Sequence, residues 1–338
     1  MIMVVANHVC NFTFELPYKY SSSMHFLILF RMPLFFFVSG FLAYKCGLTW
    51  NGATLRGLIA KKIKVQTIPT IVFFLFGAVI LGKEFGQTVM TWLGESTKGG
   101  YWFTIVLLYM FIVYYVFCFF ESRLPSKSWI SIVLLFVVSL FFYETCYQPR
   151  HFSWAMGYRG IRSEFICYTS LDQLFMYFPF FIYGNIVRRY WDQTQRLMDS
   201  KWFFPIVIVL AVFSALDSQK WHVLRMEWAI IPLTLARFSL LTIAFMYFRH
   251  YKDYLTKLTI TGRFLQYIGR RTLDIYLIHL IFLPNLPTIG TFFKVYKYNF
   301  ILDTTLSVLI AIVVIGFCCI TSNILRISPF LRKWLFGR

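Results

Sequence analysis

Four side chains interrupt the apolar runs of this sequence and could do chemistry. His8 sits among Val4, Val5, Ala6 and Val9, and Arg31 lies between Phe30 and Met32. Arg237 lies between Ala236 and Phe238, and His279 between Ile278 and Leu280. A neutral imidazole can take a proton from a hydroxyl, because its reference pKa lies near neutrality. Arginine stays charged and can neutralise a phosphate, a carboxylate or a developing oxyanion. The stretch "LRGLIAKKIK" adds Arg56, Lys61, Lys62 and Lys64, which suit either the phosphates of a cytosolic cosubstrate or anionic lipid. Walker loops, GxGxxG, zinc-ligand spacings and serine-nucleophile elbows are absent from the sequence, and with them the chemistries they carry. A base flanked by cations is what remains.

The elements that must position these groups are membrane helices. Of 338 residues, 59% are hydrophobic and 14% charged, against about a quarter charged in soluble domains. Apolar runs near the ~20 residues of a membrane span recur along the whole length, at about 1–16, 24–44, 66–82, 101–120, 129–146, 171–187, 202–217, 227–248, 272–290 and 304–325. Connections are short apart from 147–170, and no linker or repeat divides the chain, so one domain over 1–338 is expected. Lys and Arg fall two-to-one on the side that holds the N-terminus, which predicts cytoplasmic termini. The expected fold is therefore all-α and polytopic, with about ten transmembrane helices. The net charge of +19 lies next to spans, so it points to the lipid bilayer and not to nucleic acid. Seven cysteines show no CxxC pattern, and only Cys146 and Cys167 could meet in an oxidising exterior.

Depth connects the four groups. At ~1.5 Å per residue, Arg31 lies ~10 Å below the outer surface, Arg237 ~15 Å down, and His279 ~11 Å above the inner surface. Only 16 residues precede Pro17, fewer than the ~20 of a full crossing. The first helix thus reads as shortened, and a restored turn would bring His8 to the same level. Taken singly, each histidine could be packed against a neighbouring helix and Arg31 could snorkel to headgroups. Four such groups at one depth argue for a shared polar cavity.

Four stretches carry a family resemblance. "FRMPLFFFVSGFLAYK" (30–45) resembles the second-span signature of the acyltransferase 3 superfamily, which are membrane O-acyltransferases. "MIMVVANH" (1–8) is similar to the end of its first-span motif, "GYWFTIVLLYMF" (100–111) to its Trp-Phe stretch, and "IGRRTLDIYLIHLIF" (268–282) to its late histidine segment. The resemblance implies that His8 is the catalytic histidine, with Arg31, Trp102, His279 and, by depth, Arg237 around it. It implies transfer from cytosolic acyl-CoA, usually acetyl-CoA, to a hydroxyl presented from the far side, with no permanently bound cofactor. A polysaccharide or lipid-linked saccharide acceptor and a bacterial inner membrane are expected on the same ground.

The sequence departs from the family twice. The family's first-span arginine would fall before Met1, so the helix reads as truncated there. Its Arg-x-x-Arg ahead of the third span is replaced by Lys64 and Thr67, with Lys61 and Lys62 as substitutes. Two other functions stay open: a glycan or lipid flippase using the same cavity without covalent chemistry, or an inactive homologue. The loop 147–170, with Arg150, Trp154, Tyr158, Arg159 and Arg162, is either an acceptor-docking surface or a structured connection.

Overall fold

The computed structural model describes residues 1–16, 21–124, 128–147, 164–216, 230–256, 259–296 and 299–336, and among these every regular element is helical. The chain opens with α1 (Ile2–Thr13), α2 (Ser22–Ala43), α3 (Gly52–Leu81) and the short α4 (Phe85–Gly94). It continues through α5 (Trp102–Glu121), α6 (Ser128–Tyr147), α7 (Glu164–Thr169) and α8 (Leu171–Arg189). Next come α9 (Trp191–Met198), α10 (Phe203–Leu216), α11 (Ile230–His250), α12 (Lys252–Thr256) and α13 (Ile260–Arg270). The chain ends with α14 (Thr272–Phe282), α15 (Pro287–Val295), α16 (Phe300–Leu325) and α17 (Pro329–Phe336).

Each of the ten predicted apolar segments falls on a helix. By length and composition, α3, α5 and α16 can cross a membrane, and the bent pairs α9–α10 and α14–α15 raise the number to five. Large apolar side chains point outward from these helices, such as Val79 on α3, Ile320 on α16 and Val209 on α10. No water-soluble surface tolerates apolar area of that extent, and this is an integral membrane protein.

Two boundaries differ from the sequence expectation. The third segment does not begin at 66: α3 runs back to Gly52, where the Asn51 side chain caps it by accepting the Thr54 N–H at 2.8 Å. Lys61, Lys62 and Lys64 therefore ride on a helix and not on a loop before it. The ninth segment is broken, with α14 and α15 meeting at 91°. Pro284 and Pro287 explain the break, since each removes a backbone donor and restricts the residue before it.

Packing gathers the helices around two cores. One joins α2, α5, α6, α8 and α11 through Phe36, Phe37, Tyr114, Tyr143, Phe180 and Leu241. The other joins α1, α3, α14, α15, α16 and α17 through Val9, Phe73, Leu277, Phe293, Val314 and Phe336. Phe103 packs against both. In the first core, α2 and α8 touch backbone to backbone: a Cβ on Gly40 would strike the Phe181 carbonyl, and one on Gly184 the Phe37 carbonyl. Small residues permit this approach where no water is available to drive helices together.

The second core is pinned by ions. Arg326 grips Asp274 with Nη2 at 2.7 and 2.9 Å from the two carboxylate oxygens. The Ser322 hydroxyl donates to the same carboxylate at 2.6 Å, and Arg271 donates to Ser322 at 2.8 Å. The charged "RRTLD" at the head of α14 is thereby tied to the end of α16. That tie fixes the helix that carries His279.

Candidate functional site

His8 is the last residue before α1 turns into a π-helical stretch, Val9–Thr13. Such turns recur at functional sites because they re-aim side chains. The Phe12 ring lies parallel to the imidazole at 5.5 Å. On its other side stands His279, with ring centroids 5.0 Å apart and planes at 69°. His279 is fully buried at the point where α14 tightens into a 3-10 turn. Its Nδ1 lies 2.8 Å from the Tyr276 carbonyl oxygen and 3.1 Å from that of Ile275. Among the buried polar atoms without a hydrogen-bond partner are His8 Nδ1 and His279 Nε2.

Tyrosines hold the segment carrying His279 against the head of α5. The Tyr276 hydroxyl donates to the Gly100 carbonyl at 2.7 Å and accepts the Phe103 N–H at 3.1 Å. Tyr101 donates to the Leu277 carbonyl at 3.4 Å. The Phe103 ring stands 5.4 Å from that of Tyr276.

A second polar group adjoins the first. Arg31, in the turn of α2 that also holds Pro33, is within electrostatic range of both His8 and Tyr177. Tyr177 is likewise within range of Arg237, Asp172 and Tyr143. Arg237 is nearly buried and donates to the Tyr143 hydroxyl at 3.2 Å. Trp102 stacks on Tyr177 at 5.6 Å, and Phe36 lies 5.0 Å from the same tyrosine. Asp172 is completely buried at the head of α8. Lys98 lies outside the helices, in the α4–α5 turn; burial lowers its pKa while Asp172, Cys167 and Glu95 oppose that shift. Its ammonium donates to the carbonyls of Leu93, Glu95 and Cys167 at 2.6–2.8 Å.

The lysines divide between two grooves. A cleft of about 290 Å³ between α2, α3 and α5 is lined by Lys45, Lys61 and Lys62, with Ser39, Gln66 and Tyr115. Lys62 Nζ sits 3.5 Å over the Phe111 ring, a favourable cation–π placement. Lys64 instead faces a groove of about 370 Å³ shared with Lys333 and Trp334. One helical turn inward from Ser39, Gln66 and Leu107 of the first cleft come Phe35, Thr70 and Phe103. Phe35 and Phe103 meet at 5.8 Å, and the Thr70 and Thr104 hydroxyls are 2.7 Å apart. A single layer of side chains thus separates the basic cleft from Tyr276 and the histidine pair.

The acyltransferase domain family matches residues 1–323. The chain belongs to the acyltransferase 3 family. No curated protein and no solved structure matches it. Of the residues singled out from sequence, this acyltransferase brings His8, His279 and Arg31 to one place, with Trp102 and Arg237 gathered around Tyr177 beside them. Lys61 and Lys62 share a cleft, and Lys64 lies on another face. The loop 148–163, with its three arginines, lies outside the described residues. Cys167 carries a free thiol, and the Cys146 side chain is outside the described ones.

Sequence reasoning missed Tyr177, Tyr276 and Asp172. Only Asp172 left a signal, as a lone carboxylate leading an apolar run. Chemically, the acyltransferase presents an imidazole beside a second imidazole, a guanidinium within range, an aromatic wall, and a cationic cleft one layer away.

Proposed function

We propose that this acyltransferase moves an acyl group, in the first instance acetyl, from cytosolic acyl-CoA to a hydroxyl of an extracytoplasmic polysaccharide or lipid-linked saccharide. The observation that carries the reading is the pairing of His8 with His279 at 5.0 Å, with Arg31 in range. Ten crossings with cytoplasmic termini, in a bacterial inner membrane, give the two faces their roles. The 290 Å³ cleft with Lys45, Lys61 and Lys62 then opens to the cytoplasm and receives the cosubstrate phosphates. The cluster of Trp102, Tyr177, Arg237 and Asp172 receives the acceptor, an aromatic wall with charged hydrogen-bonding groups being suited to a sugar ring.

Each step has a residue. His8 takes the proton of the acceptor hydroxyl as its oxygen attacks the thioester carbonyl. The Arg31 guanidinium stabilises the oxyanion that forms. The carbon–sulfur bond breaks, the imidazolium returns its proton to the departing thiolate, and the products are an O-acyl ester and free coenzyme A. Phe35 and Phe103 must part for the thioester to pass from the cleft to the histidines.

The test is transfer of label. Purified full-length chain in nanodiscs is given radiolabelled acetyl-CoA with cell-envelope glycan, beside His8→Ala. Label on glycan that requires His8 supports the proposal. Uptake of glycan or lipid with no labelled ester would assign the cavity to transport.

A further inference from the structure

The acyl-transfer reading needs a base whose lone pair faces the acceptor, yet an imidazole has two nitrogens and its commoner solution tautomer need not be the useful one. Something must choose. In other histidine bases a hydrogen bond to the second nitrogen fixes both tautomer and ring orientation. Here the described residues supply no carboxylate partner for His8. They supply His279.

The tautomer of His279 follows from its neighbours. Its Nδ1 lies against two backbone carbonyls, at 2.8 and 3.1 Å. A carbonyl oxygen can only accept, so Nδ1 carries the hydrogen. For a neutral ring, Nε2 is then a bare lone pair, and this atom is buried with no partner. An unmatched acceptor in such a place costs about 1–3 kcal/mol. The nitrogen that could meet it is His8 Nδ1, also buried and also unmatched. Two imidazoles joined by an N–H···N bond of about 2.9 Å have centroids about 5 Å apart. The observed separation is 5.0 Å.

We infer that His279 is the positioning residue of the base: its Nε2 accepts the Nδ1–H of His8 and holds the His8 Nε2 lone pair toward the acceptor hydroxyl. His279 does not touch substrate and gains no proton in the ground state. Backbone carbonyls of α14 play the part that a carboxylate plays elsewhere, one imidazole removed. When His8 becomes an imidazolium during the reaction, its Nδ1–H bond to His279 strengthens and favours the transition state over the ground state. The tyrosine bonds to Gly100 and Phe103 and the Asp274–Arg326 pair matter to catalysis because they keep α14 in register.

The inference rests on the acyl-transfer reading for its catalytic meaning, and two measurements separate the two. Nitrogen-15 NMR of histidine-labelled full-length chain in nanodiscs reads the tautomers without any substrate. Protonated Nδ1 and bare Nε2 at both rings are expected, with the His8 Nδ1–H signal displaced downfield and lost from that position in His279→Gln or His279→Leu. A His8 ring carrying its hydrogen on Nε2 overturns the inference. In the transfer assay, His279→Leu should lower kcat about 100-fold with an unchanged KM for acetyl-CoA, as for partners that orient a functional histidine. His279→Gln, which keeps an acceptor oxygen near the place of Nε2, should stay within about tenfold of wild type. A folded His279→Leu with wild-type kcat also overturns the inference. Wild-type protein that transfers no label ends the acyl-transfer reading instead, and the NMR tautomers still decide the hydrogen bond.

Discussion

At the scale of single residues, direction around a helix decides which charges act together. A helix advances about 100° per residue, so Leu58, Lys61, Lys62 and Val65 share one face of α3 while Ala60, Lys64 and Ile68 look elsewhere, and the two grooves divide along that line. On the proposed reading, replacing Lys61 and Lys62 together by alanine raises KM for acetyl-CoA about tenfold, or roughly 1.4 kcal/mol, and leaves kcat alone. Lys64→Ala leaves both parameters unchanged. Initial-rate kinetics with labelled acetyl-CoA would show this, and an equal rise in KM from Lys64→Ala would move the cosubstrate to the other groove. Arg31 carries a different expectation. An oxyanion partner acts in the transition state, so Arg31→Ala lowers kcat roughly 100-fold or more with little change in KM. Arg31→Lys recovers part of the loss by restoring charge without the planar fork. A rise in KM alone would make Arg31 a ground-state binding group.

At the scale of elements, two contacts hold helices at distances that side chains elsewhere could not replace. Gly40 and Gly184 let α2 and α8 touch, so Gly184→Leu forces them apart. Overpacking of this kind costs about 1–3 kcal/mol or more, read as a lower unfolding midpoint in detergent and as loss of transfer, since α2 carries Arg31. An unchanged midpoint would mean the helices are not that close. The Asp274–Arg326 pair is nearly buried, and removing one partner strands the other, at about 3–5 kcal/mol. Arg326→Met should therefore destabilise strongly, and Arg326→Met with Asp274→Leu should recover much of the loss because both charges leave together. The sequence made some of this legible. Spans were readable because apolar runs have no other explanation, and the histidine pair was readable because titratable groups at one depth have few partners. The π-turns after His8 and Lys62 were not, since they follow from tertiary packing. The start of α3 was hidden by its lysines, which score as loop although they cap no boundary. Tyr177 and Tyr276 were invisible among 21 tyrosines, because a hydroxyl bonded to a backbone carbonyl leaves no pattern in the chain.

At the scale of the whole molecule, the site lies where two cores meet, with Phe103 packed against both. A seam is the natural place for substrates that arrive from opposite faces, because packed interiors resist bending while interfaces between them can part. That argument depends on the two faces being what the charge bias makes them, so topology is the prediction on which the others rest. Cys46 is exposed in the turn between α2 and α3, and Glu95 is exposed between α4 and α5. If the N-terminus is cytoplasmic, these positions lie on opposite sides, because α3 carries the chain across between them. A chain with Cys46 as its sole cysteine should then resist a membrane-impermeant maleimide in intact cells and react once they are opened. A chain lacking all native cysteines and bearing Glu95→Cys should react in both. The physical reason for confidence in the sign is the cluster Lys45, Arg56, Lys61 and Lys62 beside Cys46, since translocating such a group against the membrane potential costs about 2.3 kcal/mol per charge per 100 mV. The opposite labelling pattern would put the lysine cleft outside, away from any supply of acyl-CoA, and the proposed direction of transfer would fall with it.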